Sequence, residues 1–280
     1  MADLEDYQYE KLMQIFTLNR NCNIGGDGFF PPFIQLKSGI LFQPAIVKSM
    51  LHFRNIPYIM NKCWQNEYNN ILSSTMETKL ISLACEIFSR LKNTIIKRNI
   101  LWDDGEIDLL VYRNSENVAV HIQAKGSIPP QGARMISNIE DRINEGIKQL
   151  DKFQQLTQEQ KDKIISKAIQ KEVNNVKVID AILVWSSYGT YNIWKRLKKI
   201  APLNLAILYW LITESPQLKL SSLVKETYDF FAKLKQSIEP TWGEESIIVL
   251  NHHIRFPVLI FDDSKLIRYR KYLKYLDFSL

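Results

Sequence analysis

The chain has 280 residues, 46% of them hydrophobic and 24% charged, the composition of an ordinary globular protein long enough to bury a core. Its 36 basic against 30 acidic residues leave a formal charge of +6, an excess that suits an anionic partner without specifying one. Ten Gly and ten Pro fall short of the roughly 12% ordinary usage of the two, and no repeat or biased tract appears, which excludes collagen-like, linker-like and solenoid classes.

The first residues, MADLEDYQYEKL, are acidic and polar, where an export signal needs a basic start and an apolar stretch. A helix is expected from Asp3 to Leu18, followed by a turn-rich passage, Ile24-Gly-Gly-Asp-Gly-Phe-Phe-Pro-Pro32, whose role is not legible. Residues 1–72 thus form an N-terminal region of helix and loop. From Ser74 to Leu91, Leu80, Leu83, Ala84, Ile87 and Leu91 recur at helical spacing, with Glu77 and Glu86 flanking the stripe. Three β-rich segments follow at Thr94–Trp102, Glu106–Tyr112 and Asn117–Lys125, with polar turns between them. Such short connections predict an antiparallel meander.

A long amphipathic helix is predicted from about Arg134 to Leu156, on the spacing of Ile139, Ile143, Ile147 and Leu150. Thr157 with Gln160 matches a capping box for a second, more polar helix ending near Glu172. Val176–Trp185 reads as a buried strand, added in parallel because a helix precedes it. Leu203–Thr213 reads as a further strand or a helix. The expected fold class is α/β, a central mixed β-sheet flanked by helices over residues 73–213, with residues 214–280 packed on it.

Cys22, Cys63 and Cys85 lie far apart with no C-x-x-C pair, which reads as neither a disulfide framework nor a zinc site and favours a reducing compartment. The longest apolar run, Leu203–Ile212, is about half of what a bilayer requires. A cytoplasmic location without a membrane partner is therefore expected. His252 and His253 are adjacent, so in a strand they face opposite sides and cannot readily share a metal. Lys265–Tyr275 interleaves basic residues with tyrosines and reads as a terminal amphipathic helix in preference to a phosphate-gripping segment. No phosphate-binding loop, nucleophile elbow or dinucleotide fingerprint is present.

The chemistry-bearing stretch is Gly105-Glu106-Ile107-Asp108-Leu109-Leu110, followed by His121-Ile122-Gln123-Ala124-Lys125-Gly126. Strand alternation groups Asp108, Leu110 and Tyr112 on one side, and His121, Gln123 and Lys125 on one side of the next strand. If the register joins these faces, a carboxylate, an amide oxygen and an ammonium converge, and Asp108 becomes a candidate ligand for Mg²⁺. His121 reads as a polar neighbour on that face. Arg134, in the loop before the long helix, and Lys148 are candidates for contacts to flanking phosphates.

These residues resemble the PD-(D/E)XK nuclease superfamily, in which an Asp on one strand is followed by E-x-K or a variant on the next. G-E-I-D-L followed by an x-x-K strand end is similar to the Holliday-junction-resolvase-like members, and the Q-x-K form to the Mrr-like restriction endonucleases. The resemblance implies a restriction-endonuclease-like core, with Asp108 as the main metal ligand and Lys125 orienting or activating the attacking water. Gln123 stands where the pattern usually has an acid, a neutral donor in place of a charged one. The family also uses a Glu on its first helix; Glu77 fits that position better than Glu86. Gln149-Leu-Asp-Lys-Phe153 is similar to the RecB-type Q-x-x-x-Y pattern, with Phe in place of Tyr. The implied function is Mg²⁺- or Mn²⁺-dependent cleavage of DNA, with homodimerisation possible as in related nucleases. The alternative is a catalytically silent module of the same fold that binds nucleic acid or a protein.

Overall fold

In a computed structural model of the protein, residues 6–18, 31–42, 44, 56–127, 133–185, 188–215, 217–237, 241–249, 252–260 and 264 are described. The turn-rich passage at 24–30, Cys22 and the Lys265–Tyr275 segment lie outside them. The chain divides into two compact units, residues 1–79 with 126–137, and residues 80–125 with 138–280.

In the first unit, helix α1 (Asp6–Phe16) leads into a short strand β1 (Thr17–Leu18), which pairs in parallel with β2 (Phe33–Leu36), itself antiparallel to β3 (Gly39–Phe42). A small core joins Phe16, Leu12 and Ile15 of α1 to Phe33 and to Ile59 of helix α2 (Ile56–Cys63). Cys63 is disulfide-bonded and Cys85 is a free thiol. This corrects the all-thiol expectation, because pairing depends on spatial proximity that sequence separation does not reveal. Helix α3 (Gln65–Ile71) continues into a π-helical turn, Leu72–Glu77, before helix α4 (Thr78–Phe88) begins. The predicted stripe is realised at Leu80, Ala84, Ile87 and Leu91, all buried.

The second unit holds a five-stranded mixed sheet in the order β4-β5-β6-β7-β8: β4 (Thr94–Trp102), β5 (Gly105–Arg113), β6 (Val118–Lys125), β7 (Lys177–Val184) and β8 (Ala201–Asn204). The first three form the antiparallel meander, while β7 and β8 add in parallel. Between β6 and β7 come helices α5 (Ala133–Gln154) and α6 (Gln158–Ile169). The α6 N-terminus carries the predicted capping box, with Thr157 Oγ1 accepting from the Gln160 N–H and the Gln160 side chain accepting from the Thr157 N–H. The fold is α/β, with this central mixed sheet flanked by helices.

Ile139, Ile143, Ile147 and Leu150 of α5 pack on Ile182 and Val184 of β7. Phe153 joins Ile165 and Ile169 of α6 and Leu110, Tyr112 and Ala119 of the sheet in a second cluster. The apolar run after residue 200 resolves into β8 and a helix, α8 (Leu205–Glu214), which follows the short helix α7 (Tyr191–Arg196). Asn204 ends the strand because its side-chain oxygen caps the Ile207 N–H at 2.9 Å. Helix α9 (Leu223–Ser237) packs beside β8, and an antiparallel hairpin of β9 (Thr241–Val249) and β10 (His252–Ile260) follows. Among the described residues no helix is long and apolar enough to cross a membrane.

Candidate active site

The β5–β6 ladder runs from Arg113↔Val118 to Leu109↔Ile122 and pairs no further. Where it opens, side chains take over from backbone partners. Asp108 Oδ2 accepts the Ala124 N–H at 2.7 Å, and Gln123 Nε2 donates to the Glu106 carbonyl at 2.6 Å. On the other side, the β4–β5 pairing skips Asn99 and Asp108. Asn99 has φ +52°, a left-handed conformation that Asn tolerates better than most residues.

The pleat breaks at this point. Ile107 shares a cluster with Leu110 and Tyr112, although strict alternation would place Ile107 on the opposite face. The strict alternation expected along β5 is thus corrected at Ile107. The local distortion turns the Asp108 carboxylate toward the β6 backbone.

All eight residues of β6 are buried, and three of them, His121, Gln123 and Lys125, are polar. The Gln123 amide can face only one way, because the Glu106 carbonyl requires a donor. Its Oε1 is buried with no hydrogen-bond partner, an arrangement that costs about 1–3 kcal/mol for a buried acceptor. Lys125 is 8% exposed, and among the described residues its ammonium makes no hydrogen bond or ion pair. Its stem lies against α5: a Cβ on Gly146 would stand 3.2 Å from Lys125 Cε and 3.5 Å from Cγ. At the other end of this contact, the Phe153 ring lies 4.7 Å from the His121 ring. Gln149 sits between Gly146 and Phe153 on the same helical face, and its Oε1 is also buried without a partner.

Asp108 and Gln123 therefore lie where the β5–β6 pairing opens, each bonded to the backbone of the opposite strand, with Lys125 two residues on along β6. Gln149 lies on the helix whose Gly146 packs against the Lys125 stem. Glu77 belongs to the other compact unit. It ends the π-helical turn, and its Oε1 accepts the Gly126 N–H at 2.8 Å. Glu86 is exposed on α4. Lys148 is exposed on α5, about 100° round the helix from Gln149, and is not brought to the cluster. Arg134 falls in the first turn of α5 instead of a loop, since that helix begins at Ala133; its side chain lies outside the description. His252 and His253 are exposed neighbours on β10, as expected of adjacent strand residues.

Sequence reasoning missed the depth of His121 and the role of Asp180. His121 is fully buried, opposite Asp180 in the β6–β7 register. The only local signal was a His two residues before Gln123 on one strand face.

The donor set suits a hard divalent cation, which takes oxygen ligands. An unpartnered amide oxygen, Gln123 Oε1, stands on β6, and the Asp108 carboxylate of β5 accepts from the backbone of that strand. Among the described residues no group of three or more His, Cys, Asp or Glu is assembled. No protein-family model, curated protein or solved structure matches the chain.

Proposed function

We propose that the protein is a metal-dependent nuclease of the PD-(D/E)XK type that hydrolyses phosphodiester bonds of DNA. The observation that supports this reading is a buried amide oxygen without a partner, Gln123 Oε1, on the strand that also carries Lys125, where the β5–β6 ladder opens at Asp108. A buried acceptor kept in that condition costs stability, and a bound cation would supply the partner it lacks.

Asp108 and Gln123 Oε1 would hold Mg²⁺ or Mn²⁺; Glu77 enters the ligand set from the sequence resemblance alone. When bound, the ion supplies an activated water and charge stabilisation at the phosphorus. Lys125 orients the attacking water and offsets charge that develops on the phosphoryl oxygens. The α5 face excludes bulk water from the Lys125 stem, which strengthens that interaction. The net positive charge favours a polyanionic substrate.

Cleavage of plasmid and single-stranded DNA with Mg²⁺ or Mn²⁺ tests the proposal. Metal-dependent activity that falls about 100-fold or more in both Asp108→Ala and Lys125→Ala is the expected result. The neutral amide at Gln123 favours a second reading, a catalytically silent module of the same fold that binds nucleic acid or a protein. A metal-induced rise in melting temperature that Asp108→Ala removes would support the metal site. Absence of both cleavage and any metal effect would overturn the nuclease reading and leave the silent module.

A further inference from the structure

A chain of polar side chains runs from α6 into the candidate site, and the chemistry at each link fixes which atom donates. It begins at Lys161, whose ammonium can only donate. Lys161 Nζ lies 3.0 Å from Gln154 Oε1 and 2.8 Å from the Gln154 carbonyl. This sets the Gln154 amide, whose Nε2 donates to Asp180 Oδ2 at 2.8 Å. The other oxygen, Asp180 Oδ1, faces His121 Nδ1 at 3.3 Å, within ion-pair range although not aligned as a hydrogen bond. A carboxylate in that place favours a proton on Nδ1 and leaves Nε2 as the acceptor. His121 Nε2 then stands 3.3 Å from Gln123 Nε2. The same amide nitrogen also donates to the Glu106 carbonyl.

The links from Lys161 to Asp180 are hydrogen bonds and the Asp180–His121 link is a 3.3 Å charge contact, so the network on α6 and α5 biases which way the amide on β6 points. With both amide protons of Gln123 directed at Glu106 and His121, its oxygen is the atom left over, buried and without a partner. Were the amide to flip, its oxygen would meet the Glu106 carbonyl and the His121 lone pair, and two acceptor–acceptor contacts would replace two donor–acceptor contacts. A carboxylate at this position would present two equivalent oxygens and need no such control. A neutral amide presents one oxygen and one nitrogen, and only one orientation offers a ligand.

We infer that His121, held by Asp180, is a positioning residue that locks the Gln123 amide so that Oε1 is presented as a cation ligand. The inference rests on the metal-site reading above and explains how a glutamine serves where an acid is usual. It also gives the burial of His121 beside Asp180 a purpose other than packing.

Titration of the full chain with Mn²⁺ by calorimetry tests this without requiring cleavage. His121→Leu is expected to weaken Mn²⁺ binding about tenfold, the usual effect of removing a residue that orients a ligand. In a Gln123→Glu background the same change should cost less than about twofold, because a carboxylate needs no orientation. Asp180→Asn, a gentler change that keeps an acceptor for Gln154, should weaken binding about threefold in the native background and keeps the test open if His121→Leu does not fold. Equal losses in the two backgrounds, or unchanged affinity in Asp180→Asn, would overturn the positioning role. If the wild type binds Mn²⁺ and Asp108→Ala abolishes binding while His121→Leu does not, only the positioning role fails. If the wild type binds no Mn²⁺, the metal site itself fails and takes the positioning role with it.

Discussion

At its turn end, the β5–β6 hairpin holds a polar cluster built round a paired carboxylate, with Arg113 Nε left without a partner; at its open end, the amide oxygens of Gln123 and Gln149 are left so. At the turn, Arg113 Nη1 pairs with Glu116 Oε1 at 2.8 Å and donates to the Leu218 carbonyl at 2.6 Å. Glu116 also accepts from the Leu220 and Ser221 N–H groups at 3.1 Å each and from the Ser221 hydroxyl at 2.9 Å. Burial pushes the Glu116 pKa up, but the hydrogen bonds from Ser221, Leu220 and Arg113 outweigh it and hold the carboxyl below its ordinary range. The open end has polar groups of the same kind at similar depth, yet Gln123 Oε1, Gln149 Oε1 and the Lys125 ammonium stand without such partners. One hairpin thus holds a multiply bonded carboxylate at one end and two unpartnered amide oxygens at the other, the contrast on which the proposed site rests.

Lys125→Met breaks the comparison most directly. If the ammonium serves a ligand, DNA cleavage should fall about 100-fold or more, while urea unfolding shows a protein about as stable as the wild type, since the apolar stem packed against Gly146 is kept. Marked destabilisation would mean that the lysine has a structural partner, and the contrast between the two ends would be lost.

Glu116→Gln makes the opposite claim. Removing the charged acceptor should cost about 1–3 kcal/mol at neutral pH and leave Mn²⁺ binding and cleavage unchanged. Because the folded pKa is depressed, the Glu116 contribution is complete above its unfolded value of about 4.3. It is lost as pH falls through the lower folded value. Urea midpoints measured from pH 7 downward should therefore converge for wild type and variant in acid. Parallel curves would show that the carboxylate is not what stabilises this end.

Gln149→Leu probes the middle of the site at smaller scale. Its buried Oε1 lacks a partner, so stability should hold or rise slightly. Cleavage should drop about tenfold if the amide contacts the ion, the water or the phosphate. An unchanged rate would assign Gln149 to packing alone.

The meander, the parallel addition of β7 and the α6 capping box were legible because each depends on local turn chemistry or on a short periodic run. The placement of Asp108 and Lys125 on neighbouring strands of one hairpin was legible for the same reason. Legibility ended where the chemistry depends on distant pairing or local distortion. Strict alternation failed at Ile107 because the pairing skips Asn99 and Asp108. Asp180 could not be matched with His121, because the register of parallel strands joined through two helices is set by packing and not by a turn. The two carboxylates with structural roles, Asp180 and Glu116, were invisible for that reason.

Gly146→Ala offers the finest test, since it touches Lys125 while leaving every polar atom in place. The added methyl would lie 3.2 Å from Lys125 Cε and 3.4 Å from Ile182 Cδ1, closer than relaxed carbon contacts of about 3.5–4.0 Å. The lysine stem is the softer neighbour, so it should move by a few tenths of an ångström and carry the ammonium with it. Misplacement on this scale is expected to slow cleavage by about threefold to tenfold, well below the loss from a full ångström. Helix propensity favours Ala over Gly by about 1 kcal/mol, which offsets the crowding and should leave the melting temperature nearly unchanged. Mn²⁺ affinity should be unaffected, because the methyl faces Lys125 and not Asp108 or Gln123. A parallel fall in Mn²⁺ affinity and cleavage would mean that the covering helix supports the whole cluster as one piece, and that the ammonium has no separate task from the oxygen donors beside it.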